Sequence, residues 1–210
     1  MLKFKKRYVA AILAAALSFT VSAGTTSAYL SRSPDSLTNV ITAGSVSITL
    51  EENNWNPDNA KDIHPLQSVK KDPVVKNIGE NDAWVFLEVS VPRRNLIIVD
   101  HSTKIKTAKQ QNDLFSFVAD NVNWDLVDES VDSDVHKYVY GYKTVLHPGS
   151  STQALFNEIK TVNYLEGELG SNENFNVEVI AKAIQSNVDS DGTLNGIYSE
   201  LIQQNEADAG

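Results

Sequence analysis

The sequence predicts an all-β domain, a sandwich or a barrel, carried behind an export signal. Apolar residues recur with a period of two, Asn/Asp/Gly/Pro clusters separate the runs, and helical periodicity is confined to a segment near the C-terminus.

Lys3, Lys5, Lys6 and Arg7 form a basic head, and an alanine-rich apolar stretch runs from Val9 to Ala23. Small residues then lead to Thr26-Ser27-Ala28. This is the pattern of a secretory signal peptide over residues 1–28, with cleavage between Ala28 and Tyr29. The apolar stretch is shorter than the roughly 20 residues that span a bilayer, so an uncleaved anchor is the lesser alternative. Residues 29–42 follow as a loose arm whose apolar residues are Leu30, Leu37, Val40 and Ile41. Pro34 suits an edge or a bulge rather than a central strand. Residues 43–210 read as one domain.

Within that domain, Ala43 to Leu50 is the first expected strand, with Val46, Ile48 and Leu50 facing the core. In "DAWVFLEVSV", Val85, Leu87, Val89 and Val91 share one face, and Phe86, Glu88 and Ser90 the other. Ile97 to Asn121 reads as an insertion, partly helical around Leu114 to Val118. "VNWDLV" and "TQALFNEI" are short strand candidates, and "KYVYGYKTVL" carries Tyr138, Tyr140 and Tyr142 opposite Val139. "NFNVEVIAKAI" alternates from Phe175 to Ile184. Leu194, Ile197, Tyr198, Leu201 and Ile202 have helical spacing, with Asp191 or Thr193 as the cap.

Charge and composition exclude several functions. Loss of residues 1–28 removes four basic residues and no acidic one, taking the net charge from −9 to −13. Such a surface repels phosphate backbones, so nucleic acid is not an expected partner, while cations are favoured. The absence of cysteine removes disulfides, lipid-modified cysteine, thiol nucleophiles and cysteine-ligated zinc.

Motifs for chemistry are sparse. His64, His101, His136 and His147 form no HExxH pattern and no i, i+4 pair, and no nucleophile elbow or phosphate loop is present. Asn187, Asp189 and Asp191, followed by Gly192, match the start of a calcium loop. Its twelfth place, which should hold a chelating acid, is Tyr198, so the alternative is a turn that caps the last helix. Trp55, Trp84 and Trp124 read as packing residues, with Trp55 the most exposed of the three.

"KDPVVKNIGENDAWVFLEVSVP" joins Lys71-Asp72-Pro73, an Asn77-x-Gly79 turn and Asp82-Ala83-Trp84-Val85. It resembles the hallmark segment of the TasA and camelysin family, secreted Gram-positive proteins processed by the specialised signal peptidase SipW. "TSAYLSRSPDSLTNVITAGSVSITL" resembles the family's processing site and first strand. Lys143, Leu146, Pro148, Gly149, Thr152, Leu155 and Phe156 fit a further segment, and "FNVEVIAKAIQSN" fits the late strand.

The resemblance implies a jelly-roll-like antiparallel β-sandwich, here with a short C-terminal helix and a partly helical central insertion. It implies a non-enzymatic fibre subunit of the biofilm matrix, outside or on the surface of a Gram-positive cell. The arm of one copy would add as a strand to the next, mainly through Ser36 to Thr42, generating an open filament. In the monomer the arm has the alternative of folding back as an edge strand of its own domain. The implied partners are further copies, a SipW-like signal peptidase and other matrix proteins, with no resident cofactor. Two alternatives accompany this reading: an accessory subunit or adhesin, and a camelysin-like metallopeptidase, for which no zinc ligands can be carried over.

Overall fold

A computed structural model of the chain describes residues 39–43, 46–56, 63–170, 175–188 and 190–208. The signal-peptide segment with Ala28 and Tyr29, and the arm residues Leu30 and Leu37, lie outside the described residues, as does Asp189. Eleven strands and one helix are described, which makes the protein all-β. They are β1 (Asn39–Ala43), β2 (Ile48–Glu52), β3 (Ser68–Lys70), β4 (Pro73–Asn77), β5 (Ala83–Leu96) and β6 (Gln110–Asp113). Then come β7 (Phe115–Phe117), β8 (Trp124–Val131), β9 (Val135–Tyr142), β10 (Glu158–Thr161), β11 (Glu178–Gln185) and α1 (Leu194–Asp208). No described helix is long and apolar enough to cross a membrane.

The largest sheet runs β1-β11-β5-β9-β8, with β6 added to the far end of β5. A three-stranded sheet runs β3-β10-β7, and β2 pairs with β4. Among the described residues every strand pair is antiparallel except β1 with β11. Strand β5 organises the large sheet because it is the longest described strand and pairs with β11, β9 and β6. Val85, Leu87, Val89 and Val91 enter one core with Ala181 and Ala183 of β11, Val69 and Ile159 of the small sheet, and Ile48 and Val75. Pro92 is tolerated inside β5 because of its place. Pairing with β11 ends at Ser90 and pairing with β6 begins at Arg93. The missing N–H falls in that gap, and the Pro92 carbonyl accepts from Leu114 N at 2.8 Å.

The opposite face of β5 is also covered, although alternation with Glu88 and Ser90 predicts a solvated one. Phe86 packs with Val139 of β9, Ile184 of β11, and Ile197 and Leu201 of α1. Helix α1 therefore lies on this second face, which its spacing of apolar residues alone could not place. Its start is built as expected from the sequence. Gly196 N donates to Thr193 Oγ1 at 3.0 Å, and Asp191 Oδ1 accepts from Thr193 N at 2.9 Å and Thr193 Oγ1 at 2.7 Å. A side chain at position 196 would collide with the Asp191 carboxylate, which explains a glycine in the first helical turn.

Three expectations are corrected. The insertion Ile97 to Asn121 is not helical around Leu114 to Val118. Phe115 and Phe117 flank Ser116 in β7, and cross-strand pairing of Phe117 with Ile159 and Phe115 with Thr161 outweighs the helical spacing. Val118, which that helix would have turned inward, is 86% exposed. The expected strand Ala43 to Leu50 is divided: Ala43 closes β1, and β2 starts only at Ile48. Val46 and Ile48 are buried as expected. Trp55 is half-buried rather than the exposed tryptophan. It packs on the core, with Lys71 Nζ 4.3 Å from its ring centroid.

Candidate functional site

The described part of the arm is strand β1, at the edge of the large sheet. Asn39 to Ala43 lie parallel to β11, in the register Asn39–Ile180, Val40–Ala181, Ile41–Lys182, Thr42–Ala183 and Ala43–Ile184. Val40 is half-buried and packs on the main core. Ile41 is 39% exposed, and Thr42 is exposed. Over Asn39 to Thr42 the arm thus takes the folded-back alternative, and among the described residues β1 has one strand neighbour and one half-buried apolar anchor. A parallel pair is slightly weaker per residue than an antiparallel one. An edge strand with a free side is also a template for a further chain.

The segments that carry the family resemblance meet each other. Asn77 is fully buried, and its Nδ2 donates to the carbonyls of Asn81 at 2.8 Å and Leu146 at 2.9 Å, while its Oδ1 accepts from Gly79 N at 3.0 Å. A Cβ on Gly79 would sit 2.9 Å from Ser47 N, so the turn demands glycine for close approach. Val75 N donates to buried Thr152 Oγ1 at 3.0 Å, and Leu155 N to Pro73 O at 3.1 Å. These residues are a structural clasp between β4 and the 146–156 segment, in which the Asn77 amide and the Thr152 hydroxyl bond to backbone.

Lys71, in the same hallmark, is 2% exposed; its Nζ donates to Glu52 Oε2 at 2.9 Å and lies 2.7 Å from Glu52 Oε1 as an ion pair. Burial pushes its ammonium below the ordinary 10.5, with Glu52 and then Asp72 opposing that fall. On the face beside α1, Glu88 accepts from Lys182 at 2.7 Å and Lys137 at 2.9 Å. Burial alone would raise the Glu88 carboxyl; hydrogen bonds and charge from the two lysines outweigh it and hold it below its ordinary 4.5. A depressed carboxyl contributes stability above its unfolded value that is lost as pH falls through the folded one. Glu88→Gln is therefore expected to lower stability at neutral pH and to flatten the acid-side fall below about pH 4.5. Urea unfolding at pH 7 and pH 3 checks this, and an unchanged acid slope would count against it.

Of the calcium-loop candidates, Asp191 accepts through Oδ1 from Thr193 at the start of α1. Those hydrogen bonds hold its carboxyl below the ordinary range. Asn187 is an exposed turn residue, and Asp189 lies outside the described residues. Among the described residues no group of three or more His, Cys, Asp or Glu side chains is placed to hold a metal ion.

Two histidines are tied to acids. His147 Nδ1 lies 2.8 Å from Asp82 Oδ1. His136 sits between two carboxylates, with Nδ1 2.7 Å from Asp113 Oδ2 and Nε2 2.8 Å from Glu129 Oε1. Asp113 also accepts from Arg93 Nε at 3.0 Å. Sequence reading missed this cluster because its members come from β5, β6, β8 and β9. Its one legible trace is the alternate spacing of His136, Tyr138 and Tyr140. Comparison with protein-family models, with curated proteins and with solved structures finds no match to this chain.

Proposed function

We propose that this chain is a secreted structural subunit of extracellular matrix fibres, of the TasA and camelysin kind, with a jelly-roll-like antiparallel β-sandwich as its body. A SipW-like signal peptidase frees the arm at Tyr29, outside a Gram-positive cell. Released copies join head to tail, the arm of one adding as a strand to the next, and other matrix proteins are the remaining partners. The observation that supports this reading is the place of β1. The last four residues of the arm, Asn39 to Thr42, lie with Ala43 at a sheet edge beside parallel β11, the one strand neighbour among the described residues. Exchange of that contact for the same contact in a second copy replaces like with like. The strand's own main-chain hydrogen bonds supply the attraction, and a contact that does not close on itself gives a filament.

The clasp formed by Asn77, Gly79, Leu146 and Thr152 supports the same reading, because the resemblance then rests on residues that build a scaffold. The test is electron microscopy of the purified mature protein at rising concentration. Regular filaments are expected. Monomers that persist after seeding would favour the accessory or adhesin role, and chelator-sensitive casein cleavage would favour the peptidase.

A further inference from the structure

The segment between β5 and β6 is a tied hairpin. Val99 bridges Lys106, Asp100 N donates to the Ile105 carbonyl at 2.8 Å, and Thr107 N donates to the Ile98 carbonyl at 2.9 Å. Its turn is held from within. Asp100 Oδ1 accepts from Ser102 N at 3.0 Å, Ser102 Oγ at 2.7 Å, Thr103 N at 2.6 Å and Thr103 Oγ1 at 2.8 Å. Every residue from 100 to 110 is exposed all the same. The tip also differs in charge from the rest of the chain. Residues 101–109 hold three lysines and no acidic residue, in a chain of net charge −9. Lys109 is paired with Glu168 at 2.6 Å. Lys104 and Lys106 have no acidic partner among the described residues. Between them, Ile105 is 67% exposed.

Complementary features stand at the other end of the large sheet. β5 runs from Ala83 to Leu96, so the hairpin follows its last residue and the turn 78–82 precedes its first. The start of β8 is at that same end, because Trp124 pairs with Tyr142 and Gly141 pairs with Phe86. Ile78 in the turn is 58% exposed, and Val122 in the loop that enters β8 is 81% exposed. Both loops abut the 146–156 segment: Asn77 N donates to the Ser150 carbonyl at 3.0 Å, and Asp120 N to the Leu155 carbonyl at 2.7 Å. Each carries acid beside its apolar residue, Glu80 and Asp82 in the turn and Asp120 in the loop. Asp82 is answered by His147, whereas Glu80 is exposed and has no cationic partner among the described residues.

We infer that the hairpin docks on this end of a second copy, with Ile105 against Ile78 and Val122, and Lys104 and Lys106 against Glu80 and Asp120. This assignment rests on the head-to-tail reading and gives it a second contact, made by side chains rather than by strand addition. Two hairpins set against each other would oppose lysine with lysine, so the contact joins opposite ends and does not close on itself. β1 runs from the level of Glu88 to that of Trp84, which puts Asn39 toward the hairpin end of its own copy. Arm and hairpin are carried by one chain, so engagement of either raises the effective concentration of the other.

The test is the critical concentration for filament formation by the full mature protein, measured by light scattering and electron microscopy. Lys104→Glu with Lys106→Glu is expected to raise it about tenfold, and Ile105→Ser by about the same factor. All three positions are exposed, and urea midpoints equal to the parent's show that the variants fold. Adding Glu80→Lys to the reversed hairpin is expected to lower the critical concentration again by about threefold. Hairpin variants that assemble within about twofold of the parent would overturn the inference and leave assembly through the arm standing. So would a loss that Glu80→Lys does not recover, or variants that assemble like the parent but lose retention on phosphatidylglycerol vesicles, which would give the hairpin to a membrane surface instead. A parent that forms no filaments would overturn the fibre reading itself, and the docking with it.

Discussion

Replacing Lys71 with methionine is expected to destabilise the domain by about 3–5 kcal/mol, the cost of leaving a buried carboxylate without its cation. Lys71 is 2% exposed and Glu52 is its ion-pair partner at 2.7 Å. Little water can reach Glu52 to replace the lost ammonium, since its side chain is only 15% exposed. A domain of this size has about 5–15 kcal/mol in all, so the variant is expected to approach the unfolding threshold. The loss would come from the orphaned charge more than from missing volume, because methionine retains most of the packing against Trp55. The double variant Lys71→Met with Glu52→Leu is therefore expected to recover most of the stability. Urea midpoints of the three variants and the parent measure the cycle. A single variant within about 1 kcal/mol of the parent would place the pair among ordinary surface contacts.

This pair also marks how far the sequence could be read. Period-two alternation located β5, β9 and β11 because each buries a face whose residues are two apart. The Thr193 cap and α1 were legible for a similar reason, since capping chemistry and helical spacing are local. What depended on distant partners was not legible. Alternation of Phe86 and Glu88 reads as a solvated face, yet Phe86 is fully buried under α1, which follows a hundred residues later. Leu114 to Val118 has helical spacing, yet β10 offers Phe115 and Phe117 a strand partner that no local window contains. Asp113 and His136 are too far apart in sequence for spacing to suggest contact, and β6 and β9 bring them to 2.7 Å. The arm was legible as weakly apolar and partnerless. Its parallel placement on β11 was not, because parallel pairing leaves no hairpin signal between neighbours.

Removal of residues 29–43 is the second change with a large expected effect. It takes away β1, which among the described residues has a single strand neighbour and packs half-buried Val40 on the main core. The body of the sheet, from β11 through β5 and β9 to β8, keeps all its antiparallel pairs. The truncated chain is thus expected to fold, with a urea midpoint close to that of the parent, and to lose filament formation entirely. A synthetic peptide of residues 36–43 is expected to slow elongation of the parent by occupying the strand position that an incoming arm would take.

Electron microscopy of the mature and truncated chains, side by side at equal concentration, puts the account at greatest risk. The account predicts regular filaments from the mature chain and dispersed, folded monomers from the chain lacking residues 29–43. Regular filaments from the truncated chain would contradict it.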